Sequence, residues 1–152
     1  MITYQEEKLE ACLEEMKPLL EEHWEEIALH KEYVKLNPDY DKYLLLDSLD
    51  LLHVLTARES GVLIGYFISF IQPHMHYKQC KVAANDILFV SKKYRKGSVG
   101  YKLFKKAEQS LKELGVDIII IAAKVKNDFK PLMDKLGFER FEYNYSKYIG
   151  EI

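Results

Sequence analysis

One junction limits the folds open to this chain. Ile87-Leu88-Phe89-Val90 is an unbroken apolar run that passes through Ser91-Lys92-Lys93-Tyr94-Arg95-Lys96-Gly97-Ser98 into Val99, Leu103, Phe104, Ala107, Leu111 and Leu114, spaced as one face of a helix. The pattern predicts a strand feeding an amphipathic helix through a short basic loop. Such a unit needs helices layered on a sheet. It also builds an anion site. The first N–H groups of a helix lack internal partners, and the positive end of its dipole lies with them. Gly97, Ser98 and Gly100 keep the approach open, while Lys92, Lys93, Arg95 and Lys96 add attraction. The spacing is neither a P-loop, since no Gly-Lys-Ser/Thr follows, nor a dinucleotide fingerprint with its three glycines. The plainer reading assigns the glycines to a turn and the lysines to solvent.

The rest of the chain supplies the other layers. Leu9, Cys12, Leu13, Met16, Leu20, Trp24, Ile27 and Ala28 make a second helical stripe, which Pro18 should kink or restart. A short helical or irregular segment follows Asn37-Pro38-Asp39. Leu51–Arg58 and Val62–Gln72, joined by Glu59-Ser60-Gly61, read as a hairpin, and Lys81–Val90 as a third strand. Gly115 stops the helix of Val99 to Leu114, and Asp117–Ala123, with four isoleucines in a row, predicts a strand buried on both faces. Phe129, Leu132, Met133 and Leu136 give a short helix ending at Gly137, and Phe138–Tyr148 a last, tyrosine-rich strand. The expected fold is mixed α/β: a mixed, mostly antiparallel twisted sheet with flanking helices, in one domain over residues 1–152.

With 152 residues, 48% hydrophobic and 30% charged, the chain can bury a core without staples. Cys12 and Cys80 form neither a metal spacing nor a disulfide framework. No run approaches a bilayer span and the start lacks the regions of a signal peptide, so a cytoplasmic protein is expected. The net charge of −2 hides a polarity: nine glutamates against two lysines over residues 5–26, then seven Lys or Arg and no acid over residues 87–107. The first segment suits a cation and the second an anion. A solvated helix face explains the glutamates more simply. His74 and His76 could share a face but have no third ligand, so no metal is expected. His23 and His30 fall on the first helix, where they could touch an acceptor, with a partly buried packing role as the default.

Val90, Tyr94, Arg95, Gly100 and Leu103 match the pattern Val-x-x-x-Tyr-Arg/Gln-x-x-Gly-x-Gly/Ala-x-x-Leu, and Lys135-Leu136-Gly137-Phe138 matches a common ending of the last helix. On these residues and the element order, the chain resembles the GNAT acetyltransferase superfamily along nearly its whole length. The resemblance implies acetyl-CoA as co-substrate, lying in a V-shaped opening between the strand ending at Val90 and the strand Asp117–Ala123. It implies pantetheine pairing with the backbone of Leu88, Phe89 and Val90. The pyrophosphate would meet amides of Arg95, Lys96, Gly97, Ser98, Val99, Gly100 and Tyr101, and Asn127 is a further coenzyme candidate. Two positions depart from the pattern. Ser98 replaces the first glycine and needs an ordinary backbone conformation, and Met133 stands where many members carry a tyrosine general acid.

Acyl transfer to a protonated amine needs a base and an oxyanion donor. Asp86 is the candidate base, on one strand face with Leu88 and Val90 if alternation holds; the competing reading has Asp86 or Asn85 serving a local bulge. The resemblance assigns the oxyanion donor to the Val90 N–H. Tyr143 and Tyr145 could replace the missing acid or simply pack. Glu22, Glu25 and Glu26 fall where this family builds acceptor pockets, for a small-molecule amine, a protein lysine or an N-terminus. Two other classes compete: a GNAT-fold acetyl-CoA-binding or interaction module without turnover, and nucleic-acid binding through residues 92–106, which the acidic balance opposes. A homodimer is an open expectation from the sheet edges.

Overall fold

A computed structural model describes residues 1–151. The elements are β1 (Ile2–Glu6), α1 (Leu9–Ile27), α2 (Tyr40–Ser48), β2 (Leu52–Glu59), β3 (Val62–Pro73), β4 (Lys81–Val90), α3 (Val99–Glu113), β5 (Ile118–Ile120) and α4 (Lys130–Leu136). One sheet runs in the order β1-β2-β3-β4-β5, antiparallel up to β4 and parallel between β4 and β5. The mixed, mostly antiparallel sheet and its helices are as the sequence predicts. The hairpin turns where expected, with Ser60 and Gly61 both at positive φ.

Each sheet face carries its own core. The stripe of α1 puts Leu9, Cys12, Met16 and Leu20 against Tyr66, Ile68 and Phe89, with α2 alongside. The stripe of α3 puts Val99, Leu103, Ala107 and Leu111 against Leu55, Phe67 and Ala83, with α4 alongside. Burial pushes the Cys12 thiol up to about 12, which leaves it an inert core group.

Four features differ from the sequence reading. β1 was not foreseen: its five residues offer just two apolar positions, Ile2 and Tyr4, and become a strand by pairing with residues 55–59 of β2. Helix α1 is not restarted at Pro18 but runs on as a single element. β5 is three residues long rather than seven, and Ile118 is 43% exposed. It pairs only with β4, so it is an edge and not a strand buried on both faces. Phe138–Tyr148 forms no strand. Its chain instead reaches the connection after α1, where the Tyr148 ring stacks on Tyr33 at 4.7 Å and Ser146 bonds His30 Nε2 at 3.0 Å.

Candidate functional site: a cleft where two parallel strands part

β4 and β5 pair only from Val82 with Ile118 to Ala84 with Ile120. Beyond Ala84 they separate, and the gap opens into a cleft of about 490 Å³. One wall is β4 from Asn85 to Val90, and the far wall is the segment Ala122–Phe129. Asn127 lies on that far wall, in a single 3₁₀ turn over Val125–Asn127.

The backbone of β4 faces this gap. Ser91 N–H donates to Ile64 C=O at 2.8 Å, which makes the opposed residues Val90 and Gly65 a non-hydrogen-bonded pair. The N–H and C=O of Val90 therefore point away from β3, and by alternation so do those of Leu88. Both residues line the cleft with Phe89.

At the end of β4 a 3₁₀ turn, Lys92–Tyr94, leads to Gly97 at φ +121°, where only glycine is comfortable. Ser98 caps α3 at φ −104°, the ordinary conformation expected of it, and makes no side-chain capping bond. Because Lys102 N–H is the donor to Ser98 C=O, the amides of the first turn of α3 are left for another acceptor. Gly100 lines the cleft, whereas Val99 is buried in the core below. Lys96 is exposed, and the Tyr101 ring lies 4.6 Å from the Lys135 ammonium. The Arg95 guanidinium is committed elsewhere: it is bidentate to Glu26 at 2.9 Å, and its Nε donates to Val90 C=O at 2.6 Å. The end of α1 is thereby tied to the junction, and Arg95 holds the Glu26 carboxyl below its usual range.

Asp86 also lines the cleft, though not by alternation with Leu88 and Val90. Ile68 pairs with Ile87 and Ser69 with Asn85, so Asp86 is the extra residue of a β-bulge. Its carboxylate accepts the Tyr43 hydroxyl of α2 at 2.5 Å. Burial holds Asp86 above the ordinary carboxylate range, with the Tyr43 hydrogen bond pulling the other way. The expectation that Asp86 shares a face with Leu88 and Val90 is corrected: those two pack toward α3, whereas Tyr43 belongs to the opposite core.

Two side chains enter besides the site residues named from the sequence. Tyr43 is one, and no local pattern marks it. The other is His23, by default a packing residue from sequence and otherwise one that could touch an acceptor, whose ring lines the cleft 5.2 Å from the Phe89 ring. Burial lowers the His23 pKa and favours the neutral ring. Tyr143 and Tyr145 are not brought to this place. They are 74% and 94% exposed, and neither lines the cleft. Met133 packs in the α3 core. His74 and His76 stay local, His76 N–H donating to His74 Nδ1 at 3.0 Å. Among the described residues no group of three His, Cys, Asp or Glu could hold a metal, and no helix is long and apolar enough to cross a membrane.

The model of the Acetyltransferase (GNAT) family matches residues 12–138. No curated protein matches the chain by sequence. Solved structures with the same fold include a ribosomal-protein-alanine N-acetyltransferase from Brucella melitensis biovar Abortus 2308, 18% identical at a TM-score of 0.73, covering 99% of this chain and 100% of that one. An aminoglycoside acetyltransferase from an uncultured soil metagenomic sample is 14% identical at a TM-score of 0.73, covering 99% and 96%. A predicted acetyltransferase from Clostridium acetobutylicum, solved with acetyl-CoA, is 16% identical at a TM-score of 0.67, covering 97% and 96%.

Proposed function

We propose that this chain, which belongs to the GNAT acetyltransferase family, is an N-acetyltransferase that moves an acetyl group from acetyl-CoA to a primary amine by direct attack. The observation that carries this reading is the pairing of outward-facing Leu88 and Val90 backbone with the open first turn of α3 along one cleft. A pantetheine chain extends the sheet at Leu88 and Val90, as a strand would. The pyrophosphate meets the amides from Lys96 to Tyr101, held by backbone and helix dipole, with Arg95 bracing the loop through Glu26. Asn127 faces the same ligand from the far wall.

In the transfer step Asp86 takes a proton from the acceptor ammonium, and the freed nitrogen attacks the thioester carbonyl. The C–N bond forms, and the oxyanion is met by the Val90 N–H. The C–S bond then breaks, and the thiolate takes the second amine proton. A thiol pKa of about 8.5 makes it a fair leaving group with no dedicated acid, which suits Met133 in place of a tyrosine.

Calorimetric titration with acetyl-CoA, dephospho-CoA and free pantetheine tests the cradle. The first two should bind and pantetheine should bind far more weakly. A Cβ on Gly100 would find its nearest neighbour, Leu132 Cδ2, at 3.7 Å, so the position accepts a side chain. Gly100→Glu should therefore fold and lose coenzyme binding by charge repulsion. Undiminished affinity in the folded variant would remove the junction from the coenzyme site.

A further inference from the structure

A second cavity, of about 320 Å³, lies on the other side of the bulge, between α1, α2 and the sheet. Ile68 and Ile87 form its floor, and Leu13, Met16, Leu20 and Trp24 its wall. The segment 34–38 crosses its mouth, with Val34 and Leu36 turned partly to solvent. Among the described residues no carboxylate lines it, and Lys35 is its one charged group. Its size and apolar lining are those of a small-molecule site.

The cavity and the coenzyme cleft share a partition. Tyr43 lines the cavity, its hydroxyl donates to Asp86, and Asp86 lines the cleft. Along α1 the same division holds, Trp24 facing the cavity and His23 the cleft. The glutamates that could have drawn in a polycation are not in the cavity. Glu26 is paired with Arg95, Glu25 lies 3.7 Å from Lys31, and Glu22 is absent from the lining. A polyamine or aminoglycoside would have to shed water from several charges here with no partner but Asp86. A hydrocarbon body gains by the same burial.

We infer that this cavity holds the apolar body of the acceptor, a primary amine on a single aliphatic or aromatic group about the size of phenethylamine, with its nitrogen directed past Tyr43 to Asp86. For the reaction, this rests on the transferase reading above; for binding, it stands alone. The hydrocarbon walls then set specificity, and Asp86 is the one carboxylate that meets the ammonium.

The test titrates phenethylamine, spermidine and kanamycin into the protein by calorimetry, alone and with CoA present, and measures acetylation of each. Leu36→Lys places a cation at the solvent-facing mouth of the cavity, away from the cleft, and Leu13→Trp fills the interior. Phenethylamine should bind, both variants should weaken it by about tenfold or more, and acetyl-CoA affinity should not move. Its kcat/KM should exceed that of spermidine and kanamycin by about tenfold or more. If Leu13→Trp fails to fold, Leu36→Lys alone decides. Equal or better use of spermidine or kanamycin, or phenethylamine binding untouched by Leu36→Lys, overturns the assignment. Phenethylamine binding lost in Leu36→Lys, with no acetyl-CoA binding, upholds the cavity and overturns the transferase reading instead.

Discussion

Asp86 reaches the cleft because of its neighbour. The Asn85 carboxamide donates to the carbonyls of Ile68 and Ile87 at 3.1 and 3.2 Å, which fixes the bulge and leaves Asp86 as the extra residue. Tyr43 then holds its carboxylate. The bulge expected as the competing reading is present: Asn85 fixes it, and it turns Asp86 into the cleft. As the proposed base, Asp86 must be ionised to work, and burial raises its pKa, so the rate should fall on the acid side at a pH above the usual carboxylate range. Removing the Tyr43 hydroxyl removes a group that lowers that pKa. Tyr43→Phe should therefore move the acid limb of kcat/KM to higher pH, whereas a tyrosine that only packs would change KM and leave the limb in place. Asp86→Asn should cut kcat by about 10²–10⁴-fold with acetyl-CoA affinity unchanged. A pH–rate profile of wild type and both variants on one amine reads these outcomes, and an acid limb in Asp86→Asn at the wild-type position would assign the titration to another group.

At the scale of elements, α1 carries His23, Trp24 and Glu26 to the site, yet its start is held by α2. Asp47, buried on α2, accepts the Leu9 N–H at 2.8 Å, while Lys8 at the N-cap makes no capping bond. Asp47→Ala leaves that amide unpaired in the core and should cost about 1.5–3 kcal/mol. Asp47→Asn keeps an acceptor and loses the charge at the helix dipole, a loss of about 0.3–1 kcal/mol. Denaturant melts should show that ranking, and equal losses would mean that packing rather than the hydrogen bond is at stake. No sequence pattern announces this cap, because its donor and acceptor are 38 residues apart. The same limit explains the rest of what was and was not legible. The junction from Ile87 to Leu111 was readable because a strand run and a helical stripe are local patterns. The bulge at Asp86 depends on carbonyls of β3 and broke the alternation rule. The apolar alternation of β1 extends over Ile2 and Tyr4 alone, too short a run to mark a strand, and the isoleucines of β5 suggested a buried strand because composition does not reveal the number of neighbours. The proposed coenzyme side of the site lies on the legible junction, and the proposed acceptor side lies on contacts between distant segments.

Across the whole molecule, two histidines, His53 buried and His23 half-buried, lie in folded surroundings that favour their neutral form. His53, 3% exposed at the junction of β1, β2 and α3, bonds the Ser110 hydroxyl at 2.7 Å, and its Nδ1 is buried without a partner. Ser110 in turn donates to Glu6, whose carboxylate lies 3.7 Å from His53 and favours the charged ring. Burial outweighs that attraction and lowers the His53 pKa, as it lowers that of His23. A histidine whose folded pKa lies below its unfolded value near 6.5 takes up a proton on unfolding. Its contribution is therefore fully present above about pH 6.5 and is lost as pH falls toward the folded pKa. Glu15 and Glu26, held low by Arg58 and Arg95, lose theirs in a separate window, below the ordinary carboxylate value. Stability should thus decline in two stages on acidification, the first with a slope of up to about 1.4 kcal/mol per pH unit for each histidine. His53→Gln keeps a side chain that can meet Ser110 and cannot titrate. It should flatten the first stage by the share of one histidine and leave the second intact, as read from urea melts between about pH 7.5 and 2.5. If its melts track the wild type through the first stage, the acid sensitivity belongs to His23 in the cleft between β4 and β5, and His53 is a neutral packing group across the whole range.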